Sequence, residues 1–185
     1  MTRTAFIFHG SNGYPERHWF PWIKKKLEQK GLEVIVPRFP IDKKTQLLNN
    51  WMEVLKPYQN KLNESILIGH SLGVPFIFNI LNDIDCKIQA AFLVAGFIGP
   101  LEAKDEPNLN DFSVKDFNWN IIKSKCLQFC VFHSDNDPYV PLERANQLAD
   151  KLGVSVTLIK GAGHFQAEGG YKEFDRLFQE IEKVL

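Results

Sequence analysis

Two hydrophobic rhythms alternate along this chain. Short apolar runs, Ala5-Phe6-Ile7-Phe8, Val34-Ile35-Val36, Ile66-Leu67-Ile68, Ala90 to Val94, Leu127 to Phe132 and Val154 to Ile159, read as six strands, most of them buried on both faces. Between them, apolar residues recur every three or four positions, the spacing of one helix face. Trp19, Ile23 and Leu27 draw such a stripe over Trp19 to Lys30, with Pro21 tolerated in the first turn and Gly31 as the stop. Leu47, Leu48, Trp51, Met52 and Leu55 predict a helix from about Lys44 to Lys56, closed by Pro57. Val74, Phe76, Ile77, Ile80 and Leu81 predict one that is apolar almost all round and therefore buried. Further helices are expected over Leu142 to Lys151 and from about Tyr171 to Val184.

Strand and helix in strict alternation imply a parallel sheet covered on both faces, a three-layer α/β/α sandwich. Right-handed crossovers restrict the strand order, and 2-1-3-4-5-6 is expected. The chain then reverses direction between strands one and three, which opens a crevice above their carboxyl ends. No repeat, linker or low-complexity tract interrupts the alternation, so residues 1–185 are expected to form one domain without a large cap. Gly96 to Asn120 alone lacks clear periodicity. So long a connection usually forms a lid or binding wall, or else a disordered insertion.

Charge adds an exclusion. Lys plus Arg and Asp plus Glu each number 22, so no basic surplus invites nucleic acid or an anionic membrane. The longest apolar stretch, Ala90 to Ile98, is far too short to span a bilayer, and Met1 to Thr4 leads into too brief a run for a secretory signal. A cytoplasmic location is expected. Cys126 and Cys130, four apart on a strand and so roughly 13 Å from each other, are too distant to bridge, and with Cys86 they read as small buried hydrophobes.

The candidate chemistry lies at strand ends. Gly69-His70-Ser71-Leu72-Gly73 joins the third strand to the buried helix and matches G-x-S-x-G. In such a nucleophile elbow the serine takes strained backbone angles and projects its hydroxyl above the sheet, and the flanking glycines leave room where a Cβ would collide. A serine needs a base within reach and a carboxylate to orient that base. His164, in Gly161-Ala162-Gly163-His164-Phe165 after strand six, is the candidate base. Two aspartates follow strand five. Asp137 is preferred as the acid because the Asp137-Pro138-Tyr139-Val140-Pro141 turn is rigid, whereas Asp135 could simply cap the turn locally. The order Ser, Asp, His is that of α/β-hydrolases.

An oxyanion would be held by the backbone N–H of Leu72 and of Ser11 or Asn12, in the glycine-rich turn after strand one. Trp19, Phe97, Trp119 and Phe165 are candidate substrate contacts. His9, His70 and His133 read as braces of turns or strand ends, and His18 as a surface residue. No His or Cys spacing suggests zinc, so no metal or organic cofactor is expected. Glu102, Asp105, Glu106, Asp111 and Asp116 outnumber Lys104 and Lys115 on the long connection, which would mildly disfavour anionic substrates.

With these motifs in place the chain resembles the small serine hydrolases of the retinoblastoma-binding-protein-nine and YdeN-like family, a nearly lidless branch of the α/β-hydrolases. The resemblance runs from Phe8-His9-Gly10 through Trp19-Phe20-Pro21-Trp22 and Ile68-Gly69-His70-Ser71-Leu72-Gly73 to Asp137-Pro138 and Gly163-His164-Phe165. It implies hydrolysis by Ser71, Asp137 and His164. The L-x-C-x-E pattern of pocket-protein binding is missing, since Leu62-Asn63-Glu64-Ser65 stands in its place, so the name-giving partner is not carried over. The expected activity is cleavage of a small-molecule carboxylic ester, thioester or amide through an acyl-enzyme. The alternative is an interaction module that keeps the fold without turnover.

Overall fold

The computed structural model describes residues 3–101 and 108–185. The six strands are β1 (Thr4–Phe8), β2 (Glu33–Ile35), β3 (Ile66–His70), β4 (Ile88–Val94), β5 (Cys126–Ser134) and β6 (Val156–Ile159). They form one sheet in the order β2-β1-β3-β4-β5-β6, every pair parallel. Side chains on these strands alternate between the two faces, as the period of two requires. Phe6, Phe8, Leu67, Ala91 and Leu93 enter one core, while Ala5, Ile7, Ile66, Ile68 and Phe92 enter the other.

Helices cover both faces. On one side α1 (Phe20–Gln29) and α7 (Asp175–Glu182) bury Phe20, Ile23, Leu27, Leu177 and Ile181. The opposite side carries α2 (Leu48–Leu55), α3 (Gly73–Asp83), α4 (Leu109–Ser113), α5 (Trp119–Ser124) and α6 (Leu142–Leu152). All of Gly73 to Leu81 is buried, the all-round burial that the sequence pattern of α3 predicts. Among the described residues, no helix is long and apolar enough to cross a membrane.

Three regions depart most from expectation. The expected start of α2 at Lys44 is replaced by a turn in which the amides of Thr45 and Gln46 both bond Asp42 O, so the helix begins at Leu48. Tyr171 and Phe174 keep their inward positions but precede α7, because Gly169 and Gly170 close a short 3-10 turn first. The connection from Gly96 to Asn120, read as a lid, a binding wall or a disordered insertion, contains α4 and the start of α5. Its charged residues Glu102, Lys104, Asp105 and Glu106 lie outside the described residues. Asp111 Oδ2 accepts from the Leu48 amide at 2.7 Å and Lys115 pairs with Asp83 at 2.7 Å.

Candidate active site

The carboxyl ends of the central strands converge on a cavity of about 400 Å³. β3 delivers Ser71 to it. Ser71 has φ +53°, a left-handed backbone that costs a non-glycine residue about 1–3 kcal/mol and persists only where surroundings impose it. Here the imposition is visible. The Ser71 amide donates to Val94 O on the neighbouring strand at 2.9 Å, and Ser71 O accepts from Val74 at the start of α3 at 3.0 Å. A Cβ on Gly69 would stand 2.8 Å from Gly73 O, and one on Gly73 would stand 2.2 Å from Phe8 O. The elbow therefore needs glycine on both sides, once because the turn closes on itself and once because α3 lies against β1.

The turn after β1 lies directly beside the serine, since a Cβ on Gly10 would come 2.7 Å from Ser71 Cβ. It is braced from four directions. Gly13 N–H bonds Gly10 O at 3.1 Å, and Asn12 takes φ +54°, which asparagine tolerates. His9 Nδ1–H donates to Gly10 O at 2.8 Å while its Nε2 accepts from the Phe39 amide at 3.1 Å. Gln46 Nε2 donates to Ser11 Oγ at 3.1 Å, and Arg17 Nη1 donates to Asn12 O at 2.8 Å. Among the described residues, neither the Ser11 nor the Leu72 amide donates to another backbone group.

β5 and β6 bring the other two residues together. The Asp137 side chain is buried, its Oδ1 accepting from the amides of Tyr139 at 2.9 Å and Val140 at 3.0 Å and its Oδ2 accepting from His164 Nδ1–H at 2.7 Å. The local turn that Asp135 was expected to cap is thus closed by Asp137 itself. Asp135 Oδ1 instead accepts from Gly161 at 2.8 Å, beside Ser134 Oγ accepting from Ala162 at 2.9 Å and Asn136 Oδ1 accepting from Gly163 at 2.7 Å. Three consecutive side chains hold three consecutive amides just ahead of His164. At about 1 kcal/mol per bond, this clamp adds to the hold that pairing with the four-residue β6 gives on the histidine's loop.

His164 and Ser71 line the same cavity. Among the described residues no hydrogen bond joins Ser71 Oγ to His164, and such bonds commonly tighten only when substrate is bound. Tyr139 stands edge-on to the His164 ring at 5.0 Å. His70 Nε2–H donates to His164 O at 2.8 Å, so the residue preceding the serine also steadies the histidine. His133 is buried with Nε2–H donating to Val140 O at 2.9 Å, and it does not line the cavity.

Of the four aromatic side chains expected to touch substrate, only Phe97 reaches the cavity wall. Trp19 and Phe165 are fully buried beneath it, joined by a bond from Trp19 Nε1–H to Phe165 O at 3.2 Å and packed against Phe174. Trp119 packs against Phe78 and Phe117 on the opposite face. The same inward stripe that makes α1 legible points Trp19 into the core. His18, expected at the surface, is the larger correction. It takes φ +55°, has a side chain 3% exposed, accepts from the Ala167 amide at Nδ1 and lines the cavity with Arg17 and Gln166. No hydrophobic period marks a residue that a left-handed step turns inward.

Burial keeps several imidazoles neutral. It pushes His9 down to about 4, and with help from the Arg17 charge it does the same to His18. His70 and His133 are lowered by the same desolvation. In the unfolded chain these rings titrate near 6.5, so below that pH the unfolded state binds more protons than the fold. Their contribution to stability is complete above about pH 6.5 and is lost progressively toward pH 4. Scanning calorimetry is expected to show a melting temperature that falls steadily across that window. A flat melting temperature there would contradict neutral buried rings.

Among the described residues, no three His, Cys, Asp or Glu side chains are grouped so as to hold a metal ion. The parallel sheet, the strained serine between strand and buried helix, and the strand-end loops around it define an α/β-hydrolase. Residues 5–183 match the serine hydrolase family, and the chain belongs to it. It is 30% identical over 177 residues to the hydrolase YdeN of Bacillus subtilis, covering 92% of this chain and 90% of that one. It is 25% identical to the serine hydrolase RBBP9 of Rattus norvegicus, over 100% of this chain and 96% of its relative. The crystal structure of the B. subtilis ydeN gene product superposes with a TM-score of 0.92 at 26% identity, over 99% of this chain and 98% of that one. The family resemblance read from the motifs and the 2-1-3-4-5-6 sheet are therefore both borne out.

Proposed function

We propose that this hydrolase cleaves a carboxylic ester, thioester or amide of a small substrate, with Ser71 as nucleophile, His164 as base and Asp137 as the group that orients the base. One observation carries the reading: a serine held at φ +53° shares a cavity with a histidine whose far nitrogen is bonded at 2.7 Å to a buried carboxylate. With Nδ1–H committed to Asp137, neutral His164 presents an unprotonated Nε2. That nitrogen takes the Ser71 proton as Oγ attacks the carbonyl carbon. The resulting oxyanion is held by the amides of Leu72 and of Ser11 or Asn12, each such donor being worth about 3 kcal/mol. His164 then gives its proton to the departing alcohol, thiol or amine, leaving an acyl group on Ser71 Oγ. Water, deprotonated by the same nitrogen, releases the carboxylic acid and restores the serine. The expected site of fluorophosphonate labelling is accordingly Ser71, read as an adduct on the peptide that contains it. A folded protein that stays unlabelled would favour the interaction-module alternative.

A further inference from the structure

The cavity has two chemically different walls. Phe97, Leu101, Leu109 and Val140 form one, continuous with the core on the α3 side of the sheet. Arg17, His18 and Gln166 belong to the other. This polar corner is built against the loop that carries His164: Ala167 N–H donates to His18 Nδ1 at 3.0 Å, and Arg17 Nη2 pairs with Glu168 Oε1 at 3.1 Å.

The hydrogen bonding fixes what the corner offers. Because Nδ1 accepts, neutral His18 carries its proton on Nε2, and among the described residues that N–H has no partner. Arg17 is already engaged, since Glu168 Oε1 pairs with Nη2 at 3.1 Å and Asn12 O takes Nη1–H at 2.8 Å. An apolar group seated here would strip water from the donor and leave it unpaired, at a cost of about 1–3 kcal/mol. A carbonyl oxygen would satisfy it. An anion would have to compete with Glu168 for Arg17.

We propose that Arg17, His18 and Gln166 form the leaving-group subsite, which selects substrates whose leaving group carries a neutral carbonyl acceptor while the acyl part lies on the apolar wall. The assignment of sides rests on the hydrolase reading above: His164 must protonate the departing atom, so the leaving group lies beside the His164 loop, and the polar corner is built on that loop.

Three butyrate esters test this, those of glycolamide, glycolate and isobutanol, whose alcohols share one branched frame and differ in polarity and charge. After division by each ester's alkaline hydrolysis rate, the wild-type protein is expected to favour the glycolamide ester over the isobutyl ester in kcat/KM by about tenfold or more. The glycolate ester is expected to rank below glycolamide. In His18→Asn the glycolamide preference should fall to about twofold or less. Asparagine tolerates the left-handed backbone and keeps an acceptor for Ala167 N–H, but its shorter side chain has no donor at the position of Nε2. The wild-type ranking is decisive even if the variant does not fold. Equal turnover of the glycolamide and isobutyl esters, or a preference for glycolate, overturns the subsite. Failure to turn over any ester, together with no fluorophosphonate adduct on Ser71, overturns the hydrolase reading itself.

Discussion

Ser71→Ala is expected to lower ester turnover by about 10⁵- to 10⁶-fold, close to the limit set by whatever rate the rest of the site sustains. Ser11 and Tyr139 carry the other hydroxyls among the residues lining the cavity, and neither lies on the elbow. Ser11 Oγ, on the adjacent turn, is engaged by Gln46. Alanine keeps the same Cβ and hence the same backbone strain, so the melting temperature should move little. This separates a chemical loss from a structural one. Retention of more than about 1% of wild-type turnover in carefully purified variant, on a substrate whose hydrolysis is limited by chemistry, would remove Ser71 from the mechanism.

Asp137→Asn is expected to cost about 10⁴-fold in kcat with the fold intact. The reason lies in how Asp137 divides its two oxygens. Oδ1 accepts from the amides of Tyr139 and Val140, a position only an acceptor can fill, so the asparagine oxygen settles there and its NH₂ faces His164. Two donors cannot meet, so His164 must accept at Nδ1 and move its proton to Nε2. The nitrogen that should receive the serine proton is then already occupied. Asp135→Asn makes the informative comparison, because its oxygen can still accept from Gly161 and a loss below tenfold is expected. If the two substitutions cost about the same, tautomer control by Asp137 is wrong.

The sheet was legible because parallel strands buried on both faces write near-continuous apolar runs, and Ile66 to Ile68 and Ala90 to Val94 do so. The elbow was legible because its glycines answer to two specific collisions. Helix starts were less so. Asp42 draws the amides of Thr45 and Gln46 into a turn, a local competition that the periodicity of Leu47 to Leu55 does not register. The substrate wall was least legible. Hydropathy reports that Trp19, Trp119 and Phe165 turn inward but not whether inward means core or cavity, and here it means the core for Trp19 and Phe165 and the core's margin for Trp119. Arg17 and His18 were hidden for the opposite reason. Both are polar, and what brings His18 inward is a single left-handed residue ahead of α1.

The clamp of Ser134, Asp135 and Asn136 onto Gly161 to Gly163 has a consequence for motion. Because the segments bearing acid and base are stapled side by side, thermal swaying at this border of the sheet carries carboxylate and imidazole as one body, and their mutual alignment survives excursions that alter their distance from the serine. The bond from His70 Nε2–H to His164 O tethers that paired unit to the elbow, so a change in their separation has to stretch it.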